Sequence, residues 1–335
     1  MATLTIAIPT YNRNESVTRA VSAILPQLGE ECHLLILDNC SDYPVAETLA
    51  ETLAGLNSGY VKVLRNKTNI GSNANILRCM ELCDSTWVWI VSDKCIPYSN
   101  AVETILANAA RNMDATYMWF NSEYDFETQP RTATLRTKGR MEFIKHIDSF
   151  GKLIDLNTGV YNAARILPFV RYGYINTYSS VPHLAVLLMA IEKSGVCQLS
   201  NEFIGVREFT PLHMRWSRLQ LSIACPTLLQ LPLSSQERES LWNSMREFLP
   251  SVKYCMVVCL RAAANGEQDA AFQLRSFFQA RQTCDLTLKT KILRAGAALL
   301  MRTPKLSLQF LGFLAQRLWR SSLDDTTDVG RYQSI

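Results

Sequence analysis

Four runs rich in apolar, β-branched and aromatic residues, at positions 4–8 (LTIAI), 34–37 (LLIL), 60–64 (YVKVL) and 87–91 (WVWIV), each stop at a polar cluster. Helical patterns separate them. In the first, Val17, Ala20, Val21, Ile24, Leu25 and Leu28 recur at the spacing that lines one helix face. A second helix is expected from Pro44 to about residue 56, and a third over residues 73–83. Strand–helix alternation over about 90 residues implies right-handed crossovers and a parallel sheet. Strands of such a sheet point the same way, so their polar C-terminal loops share one edge.

That edge collects Tyr11 and Asn12 from the first loop, with Asn12 expected to cap the helix through a capping box with Glu15. It also collects Asp38, Asn39 and Asp42 from the second loop and Asp93 with Lys94 from the fourth. Ligands of open α/β sheets sit beyond the carboxyl ends of the strands. Neither GxGxxG nor GxxxxGK[ST] occurs in these loops, which argues against a dinucleotide fingerprint or a P-loop. Carboxylates, amides and an aromatic ring suit a base and a ribose, while lysine and arginine suit phosphates.

The bulk properties narrow the alternatives. A net charge of +4 over 335 residues is too small to imply nucleic acid by itself, and no nucleic acid is expected as a partner. Ten cysteines are scattered without paired CxxC motifs and the four histidines lie far apart, so a structural zinc site is not expected. The chain begins directly in a strand pattern with no secretory signal, which predicts a reducing cytoplasm and free thiols. No uninterrupted apolar run reaches the ~18 residues of a membrane-spanning helix.

TIAIPTYNR, LLILDNCSD, NIGSNANILRCM and WIVSDKCIP, in that order and spacing, resemble the nucleotide-binding half of family-2 glycosyltransferases with the GT-A fold. The resemblance is good from residue 3 to about 121 and weak to about 215. It implies that Pro9, Tyr11, Asn12 and Asp38 hold the nucleotide base, and that Asn69, Gly71 and Asn75 shape the pocket near the ribose. It assigns Asp93 to the ribose and to a divalent metal, Mg²⁺ or Mn²⁺, with His213 as a companion ligand and Arg215 as a diphosphate contact.

Two departures stand out. Family members often read Ser-Asp-Asp-Asp where this chain reads Ser92-Asp93-Lys94-Cys95. A hard cation gains little from a neutral thiol, and an ammonium repels it. Three readings follow: a metal held by Asp93 and one further residue, Lys94 acting as the counter-charge, or lost catalysis. The family's Glu-Asp pair is also missing. In its place stands NTYSSVPH, where His183, at the start of an apolar helix, is either a general base or structural.

Residues 115–122 read as a further strand, and 129–140, with Arg131, Arg136, Lys138 and Arg140, as a mobile basic loop. Two strand-like pieces surround Ser200-Asn201, and a capping box at Ser234 and Glu237 opens one helix of a C-terminal helical region. Residues 281–320 carry eight Lys/Arg against one acidic residue, interleaved with Leu, Phe and Trp319. Such a helix lies in a membrane interface or packs on protein.

The expected architecture is α/β: a GT-A-like, mostly parallel sheet flanked by helices, with a helical C-terminal extension. Residues 1–216 form the glycosyltransferase domain, split into a nucleotide-sugar-binding half (1–121) and an acceptor half (122–216). An extension (217–320) and a tail (321–335) follow. The expected activity is inverting transfer from a nucleotide-sugar donor to a hydroxyl of a glycan or lipid-linked glycan, in the cytoplasm or at the inner membrane face. The alternative is a non-catalytic nucleotide-sugar-binding or scaffold protein.

Overall fold

The computed structural model describes residues 2–55, 59–121, 129–207 and 218–250, together with 254, 255, 258 and 276. The chain divides into two compact units, Met1–Phe209 and Thr210–Ile335. The strands are β1 (Leu4–Thr10), β2 (Cys32–Asp38), β3 (Val61–Arg65), β4 (Trp87–Ile90), β5 (Cys95–Pro97), β6 (Ala115–Asn121), β7 (Leu135–Lys138), β8 (Gly159–Asn162), β9 (Val196–Phe203) and β10 (Gly205–Arg207). The helices of the first unit are α1 (Asn14–Ile24), α2 (Val45–Thr48), α3 (Ser72–Glu81), α4 (Ala101–Arg111), α5 (Arg140–Lys145), α6 (Phe150–Leu153), α7 (Ala163–Ile166), α8 (Val170–Ile175) and α9 (Pro182–Ala190). The second unit contributes α10 (Arg218–Ala224) and α11 (Ser235–Phe248), the latter opened by the expected capping box.

Eight strands form one sheet in the order β3-β2-β1-β4-β8-β6-β9-β7, and β5 pairs with β10 in a separate ribbon. The first four are mutually parallel, as their alternation with helices requires. β8 then enters antiparallel between β4 and β6. It therefore starts at the edge where β4 ends, which brings the turn before Gly159 beside Ser92. β4 is buried at every residue, the expected reading of a central strand covered on both faces.

β1 runs past the 4–8 run of the sequence, through Pro9 to Thr10. Pairing of β1 with β4 ends at Ala7 and Ile90, and Val91 N–H donates to the Ala7 carbonyl at 2.9 Å. By the two-residue period of a strand, the nitrogen of Pro9 also faces the β4 side, beyond the last ladder bond. A proline there removes no hydrogen bond.

Several other expectations are revised. α2 covers one turn only and gives way to irregular turns, because Thr48, Thr52 and the positive-φ Gly55 are poor helix formers. Residues 129–140 are not a mobile loop. β7 is an edge strand, Arg136 pairs with Asp114 at 2.7 Å, and Arg140 is buried. Arg131 lies over the Trp119 ring at 4.3 Å and donates to the Ser200 and Trp119 carbonyls, both at 3.0 Å. Its burial lowers the guanidinium pKa. Strand β9 runs through Ser200-Asn201, and the break falls at Ile204. His213, Arg215 and the basic stretch 281–320 lie outside the described residues. Among the described residues no helix is long and apolar enough to cross a membrane.

His183 is also revised. Helix α9 is buried from Pro182 to Met189, so its first-turn histidine enters the core rather than a cleft. The residue is 1% exposed, and neither ring nitrogen has a hydrogen-bond partner among the described residues. Desolvation alone drives its pKa down to about 3, since burial disfavours the charged imidazolium. A general base must reach the proton it takes, and this ring does not.

The shift has a measurable consequence. Because the folded pKa lies below the ordinary 6.5, the unfolded chain binds an extra proton between about 6.5 and 3. Stability is full above that window and is lost as pH falls through it. Thermal melts of wild type and His183→Leu should therefore diverge from pH 7 to pH 4, with the leucine variant losing less. A constant difference in Tm would contradict a neutral, buried imidazole.

Candidate functional site

The carboxyl ends of β1, β2, β3 and β4 carry a polar edge whose loops are tied together by side chains distant in sequence. Asn12 does not cap α1, which has Arg13 at its N-cap position and no side-chain cap. It adopts a left-handed conformation (φ 52°), which asparagine tolerates. Its Nδ2 donates to Asp42 Oδ2 at 3.1 Å, and its Oδ1 accepts the Asp42 N–H at 2.8 Å. Its own N–H donates to Ser41 Oγ at 2.9 Å. Loops one and two are thereby locked as one surface.

Asp38 is 1% exposed and organises the second loop from beneath. Its Oδ1 accepts the Ser41 N–H at 2.8 Å, and its Oδ2 accepts the Val45 N–H at 3.4 Å and Arg65 Nη1 at 2.7 Å. Arg65, the last residue of β3, donates through Nη2 to the Ser41 carbonyl at 2.7 Å. The carboxylate is thus engaged by the protein and holds the second loop in place.

Four asparagines bind the third loop to the second. Asn39 Nδ2 donates to Asn69 Oδ1 at 2.7 Å, and Asn39 Oδ1 accepts from Asn66 Nδ2 at 2.9 Å and the Ile70 N–H at 3.1 Å. Asn66 Nδ2 also reaches Asn75 Oδ1 at 2.8 Å, while Asn75 Nδ2 donates to the Leu37 carbonyl at 3.1 Å. Gly71 precedes α3 with φ 83°, a conformation that favours glycine, and its N–H donates to Asn69 Oδ1 at 2.8 Å. Asn69, Gly71 and Asn75 are therefore brought together, with Asn75 buried as scaffold.

In the fourth loop, Asp93 is 3% exposed. Its Oδ2 accepts the Thr10 hydroxyl at 2.9 Å, and its Oδ1 accepts Arg13 Nη1 at 3.2 Å. Asn157, in the turn before β8, steadies the same loop. Its Oδ1 accepts the Ser92 N–H at 2.7 Å, and its carbonyl accepts the Trp89 indole N–H at 2.8 Å. Lys94 is buried in this turn, its N–H donating to Ser92 Oγ at 3.3 Å. Sequence reasoning missed Arg13, Arg65 and Asn157. Arg13 stood inside the TYNR motif, but its partner lies 80 residues away.

The groups of this edge that still meet solvent include the Tyr11 ring (40% exposed), the Arg13 and Arg65 guanidinium groups (44% and 38%), Asn12, Asp42, Lys67, Asn69 and Ile70. They are suited to a flat ring, to hydroxyls and to phosphate. A divalent cation fits less well. Asp93 has both oxygens engaged, and Cys95 is a core residue of β5 with its Sγ directed at Gly205. Among the described residues no group of three His, Cys, Asp or Glu side chains could hold a metal.

Residues 5–167 match the family described as Glycosyl transferase family 2. Among solved structures, S. aureus TarS 1-349 in complex with UDP gives a TM-score of 0.60 at 12% identity, covering 94% of this chain and 91% of that one. The complex of the same protein with UDP-GlcNAc gives 0.59 at 12% identity, covering 95% and 91%. A longer TarS chain gives 0.58 at 13% identity, with 87% of this chain covered, and this chain spans 50% of its length. No curated protein matches the chain. Four parallel strands, a shared polar edge and this family match agree: residues 5–167 form a family-2 glycosyltransferase domain, carried by an α/β unit of the GT-A fold.

Proposed function

We propose that this glycosyltransferase takes its sugar from a nucleoside diphosphate donor and passes it, with inversion, to a hydroxyl of a glycan or lipid-linked glycan in surface polysaccharide synthesis. The observation that carries the reading is the side-chain clasping of loops one, two and four, Asn12 to Asp42 and Arg13 to Asp93, at the carboxyl end of the parallel strands. The UDP and UDP-GlcNAc bound to the structurally similar TarS support a nucleotide-sugar donor.

In this reaction the acceptor oxygen attacks the anomeric carbon opposite the leaving group. The bond from that carbon to the β-phosphate oxygen breaks, and its electron pair leaves with the nucleoside diphosphate. Positive charge near those phosphates stabilises the transition state. In this reading Tyr11 offers a stacking face, the loop held by Asp38 and Asn12 meets the base, and Asn69 and Gly71 border the ribose. The burial of His183 leaves the acceptor's proton to another group.

The basic, Leu- and Trp-bearing stretch 281–320 supports attachment at a membrane surface, which would bring the site to a lipid-linked acceptor. Truncation after Thr283 should abolish co-sedimentation with acidic vesicles and leave nucleotide binding intact. Equal co-sedimentation of both forms would contradict the assignment.

Asp38→Ala tests the base-facing loop. It strands Arg65 Nη1 and the Ser41 N–H, and hydrogen bonds to a charged group contribute about 1.5–3 kcal/mol. Affinity for the cognate nucleoside diphosphate should fall by roughly one to two orders of magnitude in calorimetric titration with UDP, GDP, CDP and dTDP. Unchanged affinity for whichever one binds would remove the base site from this loop.

A further inference from the structure

Asp93, the described residue that the family resemblance assigns to a divalent metal, is engaged here by a guanidinium. Asp93, the one carboxylate left in its Ser92-Asp93-Lys94-Cys95 turn, gives one oxygen to the Thr10 hydroxyl at 2.9 Å and the other to Arg13 Nη1 at 3.2 Å. At 3% exposure it has no open face toward solvent. A cation would have to displace the arginine to reach it.

Cys95 cannot complete a ligand set. Its Cα is paired in register with Arg207 across the β5–β10 ribbon, and it is fully buried in the hydrophobic core. A Cβ built on Gly205 would lie 3.0 Å from its Sγ, so the thiol packs on that backbone. Hard cations prefer oxygen ligands in any case. Lys94, between these two residues, is buried and adds no oxygen ligand.

Arg13, in contrast, is half-exposed and held in place. One nitrogen is fixed by Asp93, and Nε and Nη2 make no hydrogen bond among the described residues. A guanidinium keeps its charge at every working pH and presents several N–H donors in one plane, the geometry that matches phosphate oxygens. It stands at the N-cap of α1, an 11-residue helix with no side-chain cap, where the helix dipole is positive. The Asp93 pairing aligns the guanidinium without consuming its remaining donors.

We propose that Arg13, and not a divalent cation, is the principal counter-charge to the donor's diphosphate, with Asp93 as its positioning residue. This inference rests on the nucleotide-sugar reading given above. It assigns Asp93 a role through another side chain, where a metal ligand would touch the phosphates through its ion.

Calorimetric titration of the full chain with UDP, GDP, CDP and dTDP, in EDTA and then in Mn²⁺, tests it together with Arg13→Gln, Arg13→Lys and Asp93→Asn. One diphosphate should bind in EDTA with an affinity that Mn²⁺ changes by less than about twofold. Arg13→Gln should lower that affinity by about tenfold or more while leaving the affinity for the corresponding nucleoside unchanged, and Arg13→Lys should recover part of the loss. Asp93→Asn should weaken diphosphate binding in the wild-type background and have no further effect on top of Arg13→Gln. Binding that requires Mn²⁺, or an Arg13→Gln variant with wild-type affinity, overturns the inference and leaves the nucleotide site standing. Absence of binding for all four diphosphates under both conditions overturns the inference and the nucleotide-sugar reading together.

Discussion

Parallel pairing of β1 with both β2 and β4 is the constraint on which the molecule depends. It sets Thr10 opposite Asp38 in the ladder and ends the β4 pairing at Ala7. The loops that carry Asn12, Asp42 and Asp93 are placed by that alignment. A shift of one residue would exchange the two buried faces of β1, setting Thr5 and Ala7 where Leu4, Ile6 and Ile8 now fill the core, so side-chain size holds the register. The loops inherit their positions from it, and the polar contacts follow.

Those contacts make the edge stiff before any ligand arrives. Asp38, Asn39 and Asn75 are buried and spend their hydrogen-bonding capacity on neighbouring loops. Charged groups buried this deeply are tolerated only when they are paired, and the partners here are the guanidinium groups of Arg65 and Arg13. Both guanidinium groups remain partly exposed, so the buried acids fix the outward-facing bases. Ordering that is complete in the free protein does not have to be supplied on binding.

The β-branched runs made the parallel half of the sheet legible in the sequence, and the polar ends of those runs made its functional edge legible. Two features escaped because they depend on where the ladder stops: the passage of β1 through Pro9, and the antiparallel entry of β8 beside β4. Arg13 and Asn157 escaped because each is defined by a partner 80 or 65 residues away, and no local pattern carries such a distance. His183 looked like a base from its place in the chain. Its helix is apolar on all sides, and burial on all sides follows from that composition. The basic segment around Arg131 misled for the opposite reason, since a polar composition concealed a guanidinium stacked on Trp119.

Hydrogen–deuterium exchange of the full chain, with and without saturating nucleotide sugar from a panel of uridine, guanosine, cytidine and thymidine diphosphate donors, addresses the central claim most directly. One donor should slow exchange at the loops carrying Tyr11 to Arg13, Asn39 to Asp42 and Ser92 to Lys94 together, because one ligand would span all three. Protection confined to any other surface, or to one of these loops with the others unchanged, would contradict a nucleotide-sugar site built by the convergence of β1, β2 and β4.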